Sequence, residues 1–253
     1  MDYALDFEFN GLHSSTFGVS KITMESGMLT EDYYLPNKTI NGFTIKSEER
    51  THLTSIDKEP LVIPMTIWLN GNVDFEREQR IKRWLETDNF CKLVLGDNPY
   101  HYNAMLEGSV SLKHNANDDG YIEVTFRTDS PYRWSDDVIV KGKCENLIEP
   151  LKRKFLNVGA KTIYPIIKIT APGVINGIEI RNKTTGEYFH LKGEYTNITL
   201  EILNKQEELN TEGNFTNLYE NHNGQFISFI EGKNDIEMKG SFYYEFVYKN
   251  LYL

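Results

Sequence analysis

The stretch Pro60-Leu-Val-Ile-Pro-Met-Thr-Ile-Trp-Leu69 leads through Asn-Gly-Asn into Val73-Asp-Phe-Glu-Arg-Glu-Gln-Arg-Ile-Lys-Arg-Trp-Leu-Glu86. The first segment has the composition of a strand, whereas the second has the spacing of an amphipathic helix with Asp74 as its N-cap. A further apolar run at 90–95 and a turn at 96–99 follow, so residues 60–108 predict strand, helix, strand, turn and strand. The side chains expected on the buried side of the helix are Phe75, Ile81, Trp84 and Leu85.

The sequence outside this helix alternates with a period of two, which predicts a mainly β protein. We expect two β-sandwich-type domains that meet near Asp136. The first, residues 1–136, carries the single packed helix against its sheet. The second, residues 137–253, has short strands separated by frequent turn signals, as in a β-sandwich or jelly roll. We expect a basic connection at 144–157, strands that include 188–191, 197–203, 214–219 and 225–230, and a turn at Lys192-Gly193.

The net charge of −10 is concentrated in the first predicted domain. Residues 1–136 contain 13 basic and 22 acidic side chains, which gives −9, and the second domain is close to neutral. An acidic domain is a poor candidate for binding a nucleic-acid backbone, because phosphate affinity comes from lysine and arginine. We therefore expect no stable nucleic-acid binding, and a solvated acidic surface that keeps the protein soluble is the simpler interpretation.

Motifs for catalysis, cofactors and metals are absent from the sequence. There is no His-Glu-x-x-His, no phosphate-binding glycine loop and no dinucleotide fingerprint, and the six histidines are scattered. Cys91 and Cys144 suggest buried free thiols and no disulfide framework. We expect a protein without catalytic activity, cofactor or metal ion.

No transmembrane helix or signal peptide is predicted. The longest apolar runs have the length of strands, and the N-terminus Met1-Asp-Tyr-Ala-Leu-Asp6 lacks a basic start with an apolar centre. We therefore expect no membrane insertion and synthesis in the cytoplasm.

The segment from Phe43 to Ile56 is a long polar strand or arm with few apolar residues. It has no core face of its own, so it is either an edge strand protected by charge or an arm that reaches a neighbouring subunit. The candidate residues for such an intersubunit contact are Phe43, Ile45, Glu48, Glu49, Arg50, His52 and Ile56.

The segment Asp129-Ser-Pro-Tyr-Arg-Trp-Ser-Asp136 leaves the first domain after a predicted strand. A proline and two aromatic side chains indicate a packed exit. We expect Pro131, Tyr132 and Trp134 to contribute to packing between the domains.

Several segments of the chain form a familiar pattern: Phe7-Glu-Phe-Asn-Gly11 with Ser14-Ser15 and Phe17-Gly-Val19, the block from Arg50 to Trp84, and the exit 130–134. With them, the whole chain resembles the distal tail proteins of long-tailed bacteriophages that infect Gram-positive bacteria. Looser matches follow in the second half, at Asn157-Val-Gly159 and Thr184-Thr-Gly186. The chain is shorter than family members that carry inserted carbohydrate-binding modules.

The resemblance implies a structural hub at the distal end of a virion tail. Family members form a hexameric ring through their N-terminal domains, beneath the last ring of the tail tube protein, with a central channel for DNA. They pass symmetry on to a trimeric tail-tip or tail-associated lysin protein near the tape measure protein. Their galectin-like C-terminal domains project outward, where some phages attach receptor-binding proteins.

A carbohydrate-binding β-sandwich protein is the alternative hypothesis. It predicts measurable glycan affinity in residues 137–253, whereas the hub hypothesis predicts a ring without catalysis. Fold alone does not choose between them, because both architectures support many functions.

Overall fold

The computed structural model describes residues 6–22, 24–25, 28–29, 35–47, 50–69, 71, 74–114, 120–145, 148–212 and 218–253. It divides the chain into two compact units, Met1–Trp134 with Leu253, and Ser135–Tyr252. Both units are built mainly of antiparallel strands, which confirms the mainly β fold class.

The first unit contains eleven strands within its described residues, one α-helix and one short 3₁₀ helix, Ser14–Phe17. A twelfth strand, β12, runs across the boundary into the second unit. The elements are β1 Phe7–Phe9, β2 Leu12–His13, β3 Val19–Ile22, β4 Met24–Glu25, β5 Met28–Leu29, β6 Lys38–Ile45, β7 Arg50–Lys58, β8 Val62–Leu69, α1 Phe75–Leu85, β9 Cys91–Leu95, β10 Tyr100–His114, β11 Gly120–Thr128 and β12 Arg133–Ser135.

Seven of these strands form the main path of the sheet of the first unit, in the order β2-β1-β9-β10-β11-β8-β3, and β12 joins the same sheet by pairing with β10. Phe9 on β1 packs against Phe126 on β11, with ring centroids 5.0 Å apart, although two strands lie between them in the sheet. The sheet is therefore strongly curled around its apolar side.

Helix α1 packs on this sheet through Ile81, Trp84 and Leu85, as predicted. The Trp84 ring stacks on Phe17 at 4.2 Å, and its Nε1 donates to the carbonyl of Phe9 at 2.9 Å. Asp74 caps the helix by accepting from the backbone N–H of Arg77 at 2.8 Å, which agrees with the expected N-cap. The expectation for Phe75 was wrong: its side chain is 75% exposed. At about 100° per residue, position 75 lies about 120° around the helix from Ile81 and about 180° from Trp84, so its side chain points away from the buried side.

The second unit contains eight strands and one single-turn helix within its described residues. They are β13 Val138–Cys144, β14 Leu151–Asn157, β15 Ile166–Asn182, β16 Tyr188–Leu203, β17 Glu208–Thr211, α2 Leu218–Asn221, β18 Gly232–Lys239, β19 Phe242–Tyr248 and β20 Leu251–Tyr252.

Two long strands, β15 and β16, organise this second unit. One half of β15 pairs with β19, through Ile166–Thr170, and the other half pairs with β18, through Glu179–Asn182. Strand β13 continues the sheet beyond β19, and β14 continues it beyond β18. Phe155 on β14 packs on Phe246 on β19 with ring centroids 4.5 Å apart, so the two halves face each other across one apolar core, as in a sandwich.

Several local predictions in the second unit were wrong. Residues 144–157 were expected to be a connection but include strand β14. The expected strand 214–219 lies partly outside the described residues, and its end belongs to helix α2. The expected strand 225–230 contributes only an isolated bridge between Ile163 and Phe229, since its backbone groups bind buried asparagine side chains such as Asn204.

Candidate assembly surface

Strands β6 and β7 form a hairpin, here called the arm, that pairs with no other strand in the described part of the chain. The hydrogen-bonded register runs from Lys38 opposite Lys58 to Ile45 opposite Arg50. Nearly every described side chain of both strands is exposed. A two-stranded hairpin is marginally stable by itself in water, and this one leaves its apolar side chains exposed within the described part of the chain.

The register distributes the side chains of the arm over two faces, because cross-strand partners share a face and successive residues alternate. We call the face with Ile40, Leu53 and Ile56 the aliphatic face; these side chains are 68%, 59% and 50% exposed. We call the other the aromatic face, where Phe43 lies opposite His52 and Ile45 lies opposite Arg50.

The aromatic face has a defined local geometry. The rings of Phe43 and His52 are stacked, with centroids 5.4 Å apart and an interplanar angle of 18°. Phe43 is 59% exposed and Ile45 is 38% exposed. Nearer the base, the amide of Asn41 donates to Asp57 at 2.6 Å and to Ser55 at 3.0 Å. The aromatic face therefore presents two apolar side chains beside Arg50 and His52 near the tip of the described hairpin, and Asp57 nearer its base.

A register shift between Asn41 and Gly42 bends the arm. A Cβ atom on Gly42 would lie 2.5 Å from the carbonyl oxygen of His52. Glycine is therefore required here for the strands to stay paired across the bulge.

The base of the arm is held by the end of the first unit. The Nζ of Lys58 lies over the Tyr132 ring, 5.2 Å from its centroid, and the N–H of Glu59 donates to the carbonyl of Asn37 at 3.1 Å. After β7, Leu61 and Thr128 exchange hydrogen bonds at 2.8 and 3.0 Å. These contacts fix where the hairpin leaves the sheet.

Five of the seven predicted arm residues, Phe43, Ile45, Arg50, His52 and Ile56, lie on this hairpin. Glu48 and Glu49 lie outside the described residues. The sequence predicted a polar segment but not the division of its apolar residues between two faces. The signal that could have predicted this division is the spacing of Ile40, Phe43, Ile45, Leu53 and Ile56.

The exit residues Pro131, Tyr132 and Trp134 end the first unit. The Tyr132 backbone N–H donates to the Ser130 hydroxyl at 3.1 Å, and Trp134 lies in β12, which pairs with β10. Their contribution to packing between the domains stays a prediction.

Metal-binding clusters and membrane-spanning helices are both absent from the residues that the structure describes. These residues contain no group of three or more His, Cys, Asp or Glu side chains that could hold a metal ion. Among the same residues, no helix is long and apolar enough to cross a membrane.

The main path of the curled sheet, the arm and helix α1 all lie within one segment that matches a known protein family. Residues 2–130 match the family model described as the phage tail protein N-terminal domain. The chain belongs to this phage tail protein family. As a member of this family, the chain has a structural role in the virion tail.

Similar proteins extend the likeness over the full length of this phage tail protein. The SPbeta prophage-derived uncharacterized protein YomH of Bacillus subtilis (strain 168) is 23% identical, over 98% of this chain and 97% of its own length. The crystal structure of SPP1 Dit, described as a paradigm of the hub adsorption apparatus in phages that infect Gram-positive bacteria, has a TM-score of 0.73 at 11% identity. That match covers 98% of this chain and 99% of SPP1 Dit.

A chain of the phage P2 baseplate in its activated conformation with Ca matches with a TM-score of 0.51 at 10% identity, over 97% of both chains. At such identities these structures show a common fold. Together with the family match they confirm the distal tail resemblance of the sequence.

Proposed function

We propose that this phage tail protein forms a homo-hexameric ring that acts as a hub at the distal end of the tail. The observation that carries the proposal is the arm, whose two faces expose apolar side chains on a hairpin with no core of its own. Exposed apolar patches on soluble proteins mark interaction sites. A ring closes through heterologous contacts, in which a surface of one copy meets a different surface of the next.

The first unit is the ring-forming domain in this proposal, with Phe43, Ile45, Glu48, Glu49, Arg50, His52 and Ile56 as intersubunit residues. The ring would join the tail tube protein above to a trimeric tail-associated lysin or tail-tip protein below, beside the tape measure protein. The second unit, a galectin-like domain, would face outward towards receptor-binding proteins. The role is structural and needs no catalytic residues.

The acidic charge of the first unit suits a channel through which DNA moves without binding, because like charges repel the phosphate backbone. Rings in which exposed acidic residues of the first unit are replaced by lysine should retain DNA at low salt. If such rings assemble normally and still do not retain DNA, the channel hypothesis is wrong.

The experiment that tests the hub function is the solution mass of the purified chain by light scattering, followed by negative-stain imaging. A mass near six times the 29.4 kDa chain with annular particles supports the ring. A chain that stays monomeric at high concentration, and also with tail tube protein added as a template, refutes it.

A second candidate function, carbohydrate binding, is favoured by one groove on the second unit. This open groove of about 570 Å³ is lined in part by Lys143, Thr170, Thr199 and Tyr243. Tyr243 is about half exposed, with the Nζ of Lys143 over its ring at 5.1 Å. An aromatic ring beside hydroxyl and charged groups offers both apolar and hydrogen-bonding contacts to a sugar. Glycan binding that is lost in Tyr243→Ala and kept in Tyr164→Ala, at a similarly exposed tyrosine, would support this function.

A further inference from the structure

The first unit has an apolar pocket at the C-terminal end of helix α1, here called the shoulder pocket. Its volume is about 430 Å³, and its floor consists of apolar side chains from the helix and from strands β10 and β11. The floor residues are Ile81, Leu85, Leu106, Val110 and Ile122.

The pocket lies between the C-terminal end of helix α1 and an irregularity in strand β10. Helix α1 ends at Leu85. Strand β10 has a register irregularity between Glu107 and Ser111, where Gly108 adopts a φ of +81° that L-residues with side chains rarely adopt. Leu106 and Val110, on either side of this bulge, are only partly buried against the core.

The rim of the shoulder pocket is acidic. Glu86 and Asp88 are exposed at its edge, and neither carboxylate pairs with a basic side chain within the described residues. The one lysine on the rim, Lys82, already pairs with Glu78 at 2.5 Å. An apolar floor with two carboxylates at its edge favours an apolar segment flanked by cations.

The aromatic face of the arm has this complementary character. Phe43 and Ile45 are exposed and adjacent on one face, and Arg50 and His52 are their cross-strand partners. A cavity of about 150 Å³ accommodates benzene in a protein core. The shoulder pocket therefore has room for the Phe43 ring together with the Ile45 side chain.

We propose that the aromatic face of the arm of one copy binds in the shoulder pocket of the neighbouring copy. This inference rests on the proposed ring and names the two surfaces that meet in it. The arm and the pocket are different surfaces of the same unit, so each copy supplies one and accepts the other, as a closed cyclic ring requires. Burial of Phe43 and Ile45 supplies the driving force, and the pairing of Arg50 with Glu86 or Asp88 fixes the orientation.

Disulfide trapping tests this contact in the full-length protein. In a Cys91→Ser background we would combine His52→Cys on the aromatic face with Thr87→Cys on the pocket rim. The matched control replaces His52→Cys by Thr51→Cys, one residue away and on the opposite face of the arm. Cys144 is fully buried and can stay in place.

The expected result is a ladder of cross-linked species up to the hexamer under oxidising conditions for the His52/Thr87 pair. The Thr51/Thr87 pair should give at least tenfold less product. If both variants form rings normally but cross-link to the same extent, or do not cross-link at all, the inference is overturned and the proposed function stays intact. Failure of both variants and of the parent chain to form rings with tube protein present overturns both.

Discussion

Removal of the apolar character of the arm's aliphatic face should dissociate the proposed ring without unfolding the chain. The perturbation is the triple replacement Ile40→Thr, Leu53→Thr and Ile56→Thr. Threonine is β-branched and favours strands, so the strand propensity of the hairpin is preserved at all three positions, while most of the exposed hydrocarbon is lost.

The expected magnitude follows from the exposure of the three side chains. Full burial of a leucine or isoleucine side chain contributes about 1.5–3 kcal/mol, and between half and two thirds of each side chain is still accessible in the isolated chain. The change to threonine then removes about 1 kcal/mol per residue, or about 3 kcal/mol per interface. Association at each interface should weaken on the order of 100-fold.

The assay is a concentration series followed by light scattering and sedimentation, in which the midpoint between monomer and ring is measured. The matched control carries Ile139→Thr, Ile148→Thr and Val174→Thr, three exposed apolar side chains of the second unit, and should assemble like the parent. Circular dichroism checks that both variants are folded. A triple arm variant that is folded and assembles at the parent's midpoint would refute the reasoning.

Three further predictions concern stability. Trp84→Phe removes indole volume and the hydrogen bond donated to the Phe9 carbonyl, so the free energy of unfolding of the first unit should fall by about 1–3 kcal/mol. Denaturant titration followed by the emission of the two remaining tryptophans measures it, and an unchanged free energy contradicts the prediction. Asn182→Ala leaves the buried carbonyl of Ser228 and the N–H of Thr184 without their side-chain partner, so calorimetry should show the second unit destabilised by about 2–4 kcal/mol, with exposed Asn176→Ala as a nearly neutral control. Burial lowers the pKa of His222 in the folded state, so protonation of this side chain favours the unfolded chain and the folded state loses stability as pH falls below about 6.5. His222→Phe should therefore reduce the drop in melting temperature between pH 7 and pH 5. An equal drop in both proteins excludes this contribution.

The sequence predicted the elements whose periodicity reports directly on burial. Ile81, Trp84 and Leu85 repeat at helical spacing because they face one apolar surface, and Asp74 caps the helix locally. The prediction for Phe75 failed because position 75 lies outside this repeat, about 120° around the helix from Ile81, and its side chain is exposed. The exposed hairpin of the arm was partly predictable because the segment from Phe43 to Ile56 has few apolar residues and no core face of its own, which indicates an edge strand or an arm.

The second unit shows where turn signals mislead. Lys192-Gly193 was expected to separate two strands, yet β16 runs through it from Tyr188 to Leu203. Gly193 has a φ of +106° inside the strand, and β15 shifts register at the opposite position, between Asn176 and Ile178. A glycine in a bulge and a glycine in a turn look the same in sequence, and only long-range pairing distinguishes them.

The shoulder pocket was beyond the reach of sequence analysis for a related reason. Its floor combines residues from a helix and two strands whose side chains each read as ordinary core positions. The gap between them arises from the end of α1 and the bulge near Gly108, neither of which changes the apolar pattern.

Strands β15 and β16 have a mechanical consequence for the second unit. Each strand is a continuous backbone that belongs to both layers, with β19 bonded to one half of β15 and β18 to the other. A force applied to either layer is therefore transmitted to the other through the covalent backbone of β15 and β16. Neither layer can detach while these two strands stay paired. We expect the unit to yield under load in one step, as a single rigid link.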